Sequence, residues 1–181
     1  MTVSLNEAIV AIHRSLDAAE LPHAFGGALA LAWCTEEPRA TFDIDVNIFV
    51  SVEDAPRALA ALPRGISHDM TNRSRLERDG QDRLWWGRIA VDLFLSNTEY
   101  HDLVEGQIVL HPFGGLDVPF LGCQSLATFK AFFDRDKDWI DLASMIATGR
   151  VEGDVLRSDL IRFLGDDDPR LQKLDEILRR R

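Results

Sequence analysis

The stretch from His23 to Val50, HAFGGALALAWCTEEPRATFDIDVNIFV, constrains this chain more than any other. It reads as a glycine pair, a short helix, a turn and then a strand carrying Asp43 and Asp45. Residues i and i+2 of a strand point to one face, so the two carboxylates stand side by side, about 7 Å apart at Cα. Asn47 and Phe49 continue that face, while Phe42, Ile44, Val46, Ile48 and Val50 form an apolar face directed to the core. Paired aspartates disfavour a strand and repel one another, and a divalent cation with a taste for hard oxygen ligands, Mg²⁺ or Mn²⁺, removes both penalties. Upstream, Gly26-Gly27 opens onto Ala28-Leu29-Ala30-Leu31-Ala32-Trp33, a run of helix formers. A glycine-rich turn at a helix start exposes backbone N–H groups and the positive end of the helix dipole, which suits an anion. An anion cradle followed by Asp-x-Asp points to metal-assisted chemistry on a nucleotide.

A third carboxylate strengthens this reading. In Arg88-Ile89-Ala90-Val91-Asp92-Leu93-Phe94-Leu95, alternation sends Ile89, Val91, Leu93 and Leu95 to the core and Asp92 to the opposite face. If that strand lies beside the first, three carboxylates converge, as two-metal phosphoryl chemistry requires. Just before it, Trp85-Trp86 admits two readings, base stacking or packing. Arg39, after a proline, is a surface residue by default and a phosphate contact as the alternative.

The rest of the chain supplies a frame. Ser4-Leu5-Asn6-Glu7 fits a capping box for a helix from about Leu5 to Glu20 that ends before Pro22. Ser51 to Asp54 starts a second helix reaching about Leu62. Ser67 to Thr71 is expected as an edge strand, and Ile108–Leu110 and Val118–Leu121 as short strands around a turn. Beyond Gly122 the apolar spacing becomes helical, giving two helices up to Gly149 and two more from about Asp154 to Leu164 and Pro169 to Arg180. The expected architecture is therefore mixed α+β: residues 1–122 form a mixed sheet flanked by helices, and residues 123–181 a helical section packed on it.

Composition limits what such a chain does. With 181 residues, 46% of them hydrophobic and 28% charged, it is long enough for a proper core. Its net charge of −10 argues against broad non-specific binding of nucleic acid, which needs a positive surface. No apolar run approaches the roughly 20 residues of a membrane span, and no signal-peptide pattern opens the chain. Cys34 and Cys123 lie far apart without metal-type spacing and are expected as two reduced, buried thiols of a cytoplasmic protein. The histidines share no spacing that suggests zinc.

The order Gly26-Gly27, Thr41-Phe42-Asp43-Ile44-Asp45 and Val91-Asp92-Leu93 resembles the nucleotidyltransferase superfamily that includes DNA polymerase beta. More narrowly, it is similar to the abortive-infection type of nucleotidyltransferase toxin. Lys130 to Leu142, KAFFDRDKDWIDL, resembles a later motif of that group. The resemblance covers about residues 23 to 148 and implies transfer of a nucleoside monophosphate from a nucleoside triphosphate to a hydroxyl. The acceptor would be an RNA end, a protein or a small molecule such as an antibiotic, and an antitoxin would be a possible partner. It implies that Gly26 and Gly27 hold the triphosphate through backbone N–H groups. Asp43, Asp45 and Asp92 would bind Mg²⁺ or Mn²⁺, with Asp92 helping to deprotonate the acceptor. Lys130, or Lys137 as second candidate, would reach the phosphates, and Asp138 or Asp141 would orient that lysine or the acceptor. The chain departs from many relatives at Ala28, where a hydroxyl residue is usual, and in a compressed lysine-to-aspartate spacing, so a catalytically inactive nucleotide-binding module of the same fold is the alternative.

Overall fold

The computed structural model describes residues 3–38 and 40–180. They divide into two units, one of residues 3–29 and 40–121, the other of residues 30–38 and 122–180. The first opens with helix α1 (Leu5–Ala18), whose Ser4 and Glu7 form the expected reciprocal cap. Its apolar stripe, Ala8, Ile9, Ile12 and Leu16, is fully buried.

A six-stranded mixed sheet makes up the body of this unit. Its strands are β1 (His23–Phe25), β2 (Asp43–Ser51), β3 (Gln81–Trp86), β4 (Ile89–Ser96), β5 (Ile108–Phe113) and β6 (Leu116–Leu121), in the order β3-β4-β2-β1-β6-β5. β2 runs parallel to β4 and β1 parallel to β6, and the remaining pairs are antiparallel. The period-2 pattern of the two aspartate strands decides which side is core. Ile44, Val46 and Ile48 of β2, and Val91 and Leu93 of β4, are completely buried. Each such side chain contributes about 1.5–3 kcal/mol relative to its exposed state. Phe42 departs from the expected core face: it is 80% exposed, because pairing with β4 begins only at Asp43 and Phe42 precedes the strand.

Helices α3 (Ala55–Ala60), α4 (Met70–Asp79) and α5 (Glu99–Glu105) complete the unit. α4 replaces the edge strand expected near Ser67. Ser67 makes only an isolated bridge to Trp85. From Asp69 a capping box with Asn72 starts the helix, and Gly80 at φ 68° closes it. Leu76 is its one buried residue, so no apolar period marked the helix in advance.

β1 is tied to α1 by a histidine pair. His23 Nδ1–H donates to the Leu21 carbonyl at 2.8 Å, which leaves its Nε2 to accept from His13 Nδ1–H at 2.9 Å. Burial pushes the pKa of both rings down, helped between them by Arg14 on His13 and by His13 on His23, and opposed by Asp17. The native state therefore takes up protons at lower pH than the unfolded chain. The stabilisation is fully present above the ordinary imidazole value of about 6.5 and is lost as the pH falls below it. The melting temperature is expected to fall between about pH 7 and pH 5. A His13→Gln/His23→Gln variant should show a shallower fall, leaving the share of His101, whose pKa burial also lowers. An unchanged slope in the double variant would contradict the assignment.

The second unit is helical. It contains α6 (Cys123–Phe133), α7 (Asp136–Ala147), α8 (Gly153–Leu164), α9 (Pro169–Arg179) and, from Ala30 on, the greater part of α2 (Gly27–Thr35). Cys34 and Cys123, expected as separate thiols, are joined in a disulfide with their Cα atoms 5.5 Å apart. The end of α2 lies beside the start of α6, a juxtaposition that residues 89 apart in sequence cannot announce. Closing so long a loop removes on the order of 4 kcal/mol of chain entropy from the unfolded state. The part of the cytoplasmic expectation that rested on reduced thiols falls away. Among the described residues, no helix is long and apolar enough to cross a membrane.

A carboxylate face on three adjacent strands

The strand register gathers the candidate residues of the first unit. Asp45 of β2 stands opposite Asp92 of β4, and Asp92 stands opposite Arg83 of β3. Asp43 is paired with Ala90, two residues earlier on β4, so all three aspartates share the face turned away from Ile44 and Val91.

Arg83 is the charged residue that sequence reasoning missed. Its Nε and Nη2 each donate to one oxygen of Asp92, both at 2.7 Å, in a planar two-point fork. The same Nη2 lies 3.6 Å from Asp43. Hydrogen bonding to Asp92 and the charges of Asp92, Asp43 and Asp45 hold the guanidinium even more firmly protonated than an ordinary arginine. Only cross-strand register reveals this cation, because Arg83 and Asp92 sit on different strands joined by a turn at Gly87. With Arg83 spread across Asp92 and reaching toward Asp43, no three acidic, histidine or cysteine side chains among the described residues gather around one point as metal ligands. The donor set nevertheless suits a hard cation, being made of carboxylates aligned on neighbouring strands.

The glycine pair closes on Asp45. Gly26 N–H donates to the Asp45 carbonyl at 2.9 Å, and Gly27, at φ 54°, opens α2. A Cβ at Gly27 would stand 1.8 Å from Asp45 Oδ2, so only glycine permits this approach. The Asp45 carboxylate thus lies against the start of a nine-residue helix, where a negative charge is favoured. Asn47 and Phe49, expected to extend the open face, are instead buried. Trp85 shares the face of Arg83 and is 49% exposed, whereas Trp86 lies against Gly65, where a Cβ would come within 2.1 Å of its indole nitrogen. Arg39 lies outside the described residues.

In the second unit, Lys130 of α6 is buried and its Nζ donates to Asp141 at 2.7 Å and to Asp138 at 3.4 Å. Both aspartates project from α7 and are buried in turn. Burial raises the pKa of Asp138, but the hydrogen bond from Arg135 and the charges of Lys130 and Arg135 more than offset it, leaving the carboxyl below its ordinary range. Lys137 is exposed on the first turn of α7.

No family model matches the sequence, and no curated protein does. Solved structures do resemble the fold. The solution structure of the antibiotic-resistance factor ANT(2'')-Ia matches with a TM-score of 0.63 at 12% identity, covering 100% of both chains. ANT(2")-Ia in complex with adenylyl-2"-tobramycin matches with a TM-score of 0.58 at 14% identity, over 86% of this chain and 94% of that one. An antigenic nucleotidyltransferase-like protein from Paracoccidioides brasiliensis matches with a TM-score of 0.55 at 16% identity, over 98% of this chain and 88% of that one.

Proposed function

We propose that this chain, which has the nucleotidyltransferase fold, transfers a nucleoside monophosphate from a nucleoside triphosphate to a hydroxyl acceptor. The observation that carries the reading is the alignment of Asp43, Asp45 and Asp92 on one face of parallel neighbours β2 and β4, beside the Gly26-Gly27 bend. Asp43, Asp45 and Asp92 would hold Mg²⁺ or Mn²⁺, which supplies charge neutralisation for the triphosphate and the departing pyrophosphate. Gly27 would bind a phosphate oxygen through its backbone N–H, and Gly26, whose own N–H is held by the Asp45 carbonyl, would fix the bend that presents it. Asp92 would accept the proton of the attacking hydroxyl at a carboxylate oxygen, and the strand scaffold would hold donor and acceptor in line. Lys130 and, second, Lys137 are the candidates for a further phosphate contact, with Asp138 and Asp141 orienting Lys130 or the acceptor.

A small hydroxylated acceptor is favoured over an RNA end. The chain carries −10 net charge, which repels a polyanion and attracts a cationic compound. The neighbour solved with adenylyl-2"-tobramycin acts as a precedent for such an acceptor on this fold. A cytoplasmic setting, where nucleoside triphosphates are made, belongs to the same reading. So does an antitoxin partner, should the acceptor prove to be a protein. The test is incubation with α-labelled nucleoside triphosphates and Mg²⁺ against panels of aminoglycosides, RNA and protein. Label is expected on a small hydroxylated compound, with release of pyrophosphate. Label on RNA or protein would overturn the acceptor assignment, and absence of transfer to every panel would favour a binding module without catalysis.

A further inference from the structure

Arg83 has a geometry that the proposed chemistry does not use. It sits in one cross-strand row with Asp92 and Asp45, and its fork occupies both oxygens of Asp92. A carboxylate held at both oxygens keeps a second lone pair on each, but the guanidinium charge against it repels a cation and weakens its hold on one until the fork lets go. The two partners differ in freedom: Arg83 is 49% exposed at its side chain, while Asp92 is 19% exposed on its strand. The arginine is therefore the member that moves. Unlike a lysine, it cannot be discharged by deprotonation, so its competition with a cation is permanent at any physiological pH. Its alternative partner must be a planar or multidentate anion, and a phosphate group matches the guanidinium fork as well as a carboxylate does.

From this we infer that Arg83 is an internal counter-ion that competes with the divalent cation for Asp92 and Asp43, so that cation and triphosphate bind cooperatively. The inference rests on the proposed function. In the free protein the guanidinium satisfies the carboxylates and keeps metal affinity low. A triphosphate offers the guanidinium a new anion, and the released carboxylates are then open to the cation. Each ligand favours the same state, in which Arg83 has left Asp92, so each must tighten the other by the same factor. Arg83 is a positioning residue in this account, acting through Asp92.

Mn²⁺ titrations followed by electron paramagnetic resonance test this, with and without a non-hydrolysable triphosphate analogue. Wild type should bind Mn²⁺ weakly alone and more tightly with the analogue. Arg83→Gln should bind Mn²⁺ alone roughly tenfold more tightly, since a nearby positive charge is gone, and the analogue should add little. Arg83→Lys, which keeps the charge but not the fork, should fall between them. In chelator the Arg83→Gln protein should melt lower than wild type, and Mn²⁺ should restore it. Equal Mn²⁺ affinity in wild type and Arg83→Gln, with the analogue's effect undiminished, would overturn the role of Arg83 alone. Failure of every form to bind Mn²⁺ with or without analogue would overturn the inference together with the proposed function.

Discussion

Replacing Asp45 with asparagine is expected to lower nucleotidyl transfer by roughly 10³-fold, the scale of removing one preorganised electrostatic element from an active site. The fold should hardly notice. Asp45 lies on the open side of β2, against the Gly27 backbone, and the substitution keeps its shape while removing one charge from a face that also carries Asp43 and Asp92. The melting temperature should stay within about 3 °C of wild type, since the helix-dipole contribution forfeited is at most about 1 kcal/mol. Asp43→Asn should behave in the same way, because its contact with Arg83 is 3.6 Å long and half exposed at both ends, a kind of pair worth little. The transfer assay and a thermal melt on the same preparations decide the matter. Loss of activity that only tracks loss of fold would reassign these aspartates to structure.

The second large effect falls on stability. Sequence reasoning alone expects Lys130→Ala to weaken nucleotide binding, but the structure shows that its first consequence is different. Lys130 Nζ is the shared cation of two buried carboxylates, Asp138 and Asp141. Removing it leaves buried negative charge, which costs about 3–5 kcal/mol. For a chain of this size that corresponds to a fall of roughly 10 °C in melting temperature. Arg135 continues to hold Asp138 at 2.5 and 3.1 Å, so the larger loss falls on Asp141, which Lys130 meets at 2.7 Å. A Lys130→Met/Asp141→Leu variant should recover most of the loss, because replacing a buried ion pair by apolar groups is often neutral. Nucleotide affinity measured on that folded double variant, not on the alanine variant, reports whether Lys130 touches phosphate. Recovery of stability with wild-type nucleotide affinity would confine Lys130 to holding α6 and α7 together.

How far the sequence carried depended on the kind of signal. Period-2 alternation around Asp43, Asp45 and Asp92 exposed both strands and the sidedness of all three carboxylates, because a strand buried on one face has no freedom of register. The cap at Ser4 and Glu7 placed α1 within two residues of its observed end. What escaped was either polar or non-local. α4 buries Leu76 alone, so its only advance marks were the caps at Asp69 and Gly80. The seven-residue α5 buries Tyr100, His101 and Val104 but is too short to establish a period. The Cys34–Cys123 bond joins residues brought together by helix packing, and the Arg83–Asp92 fork depends on which residues face each other across β3 and β4. Trp85 and Trp86, adjacent in sequence, part company because alternation sends one to the carboxylate face and the other against Gly65. A reading limited to acidic residues therefore found three ligands' worth of charge but not the guanidinium set among them.

The central claim is that three carboxylates on β2 and β4 and the diglycine bend receive a metal–triphosphate complex. The most direct test is an amide ¹H–¹⁵N spectrum of the full chain with a non-hydrolysable triphosphate analogue, titrated with substoichiometric Mn²⁺, whose unpaired electrons broaden nearby signals. The account predicts selective loss of the amides of Gly26, Gly27, Asp43, Asp45 and Asp92, abolished in the Asp45→Asn protein. Broadening centred elsewhere in the chain, or unchanged by that substitution, would contradict it.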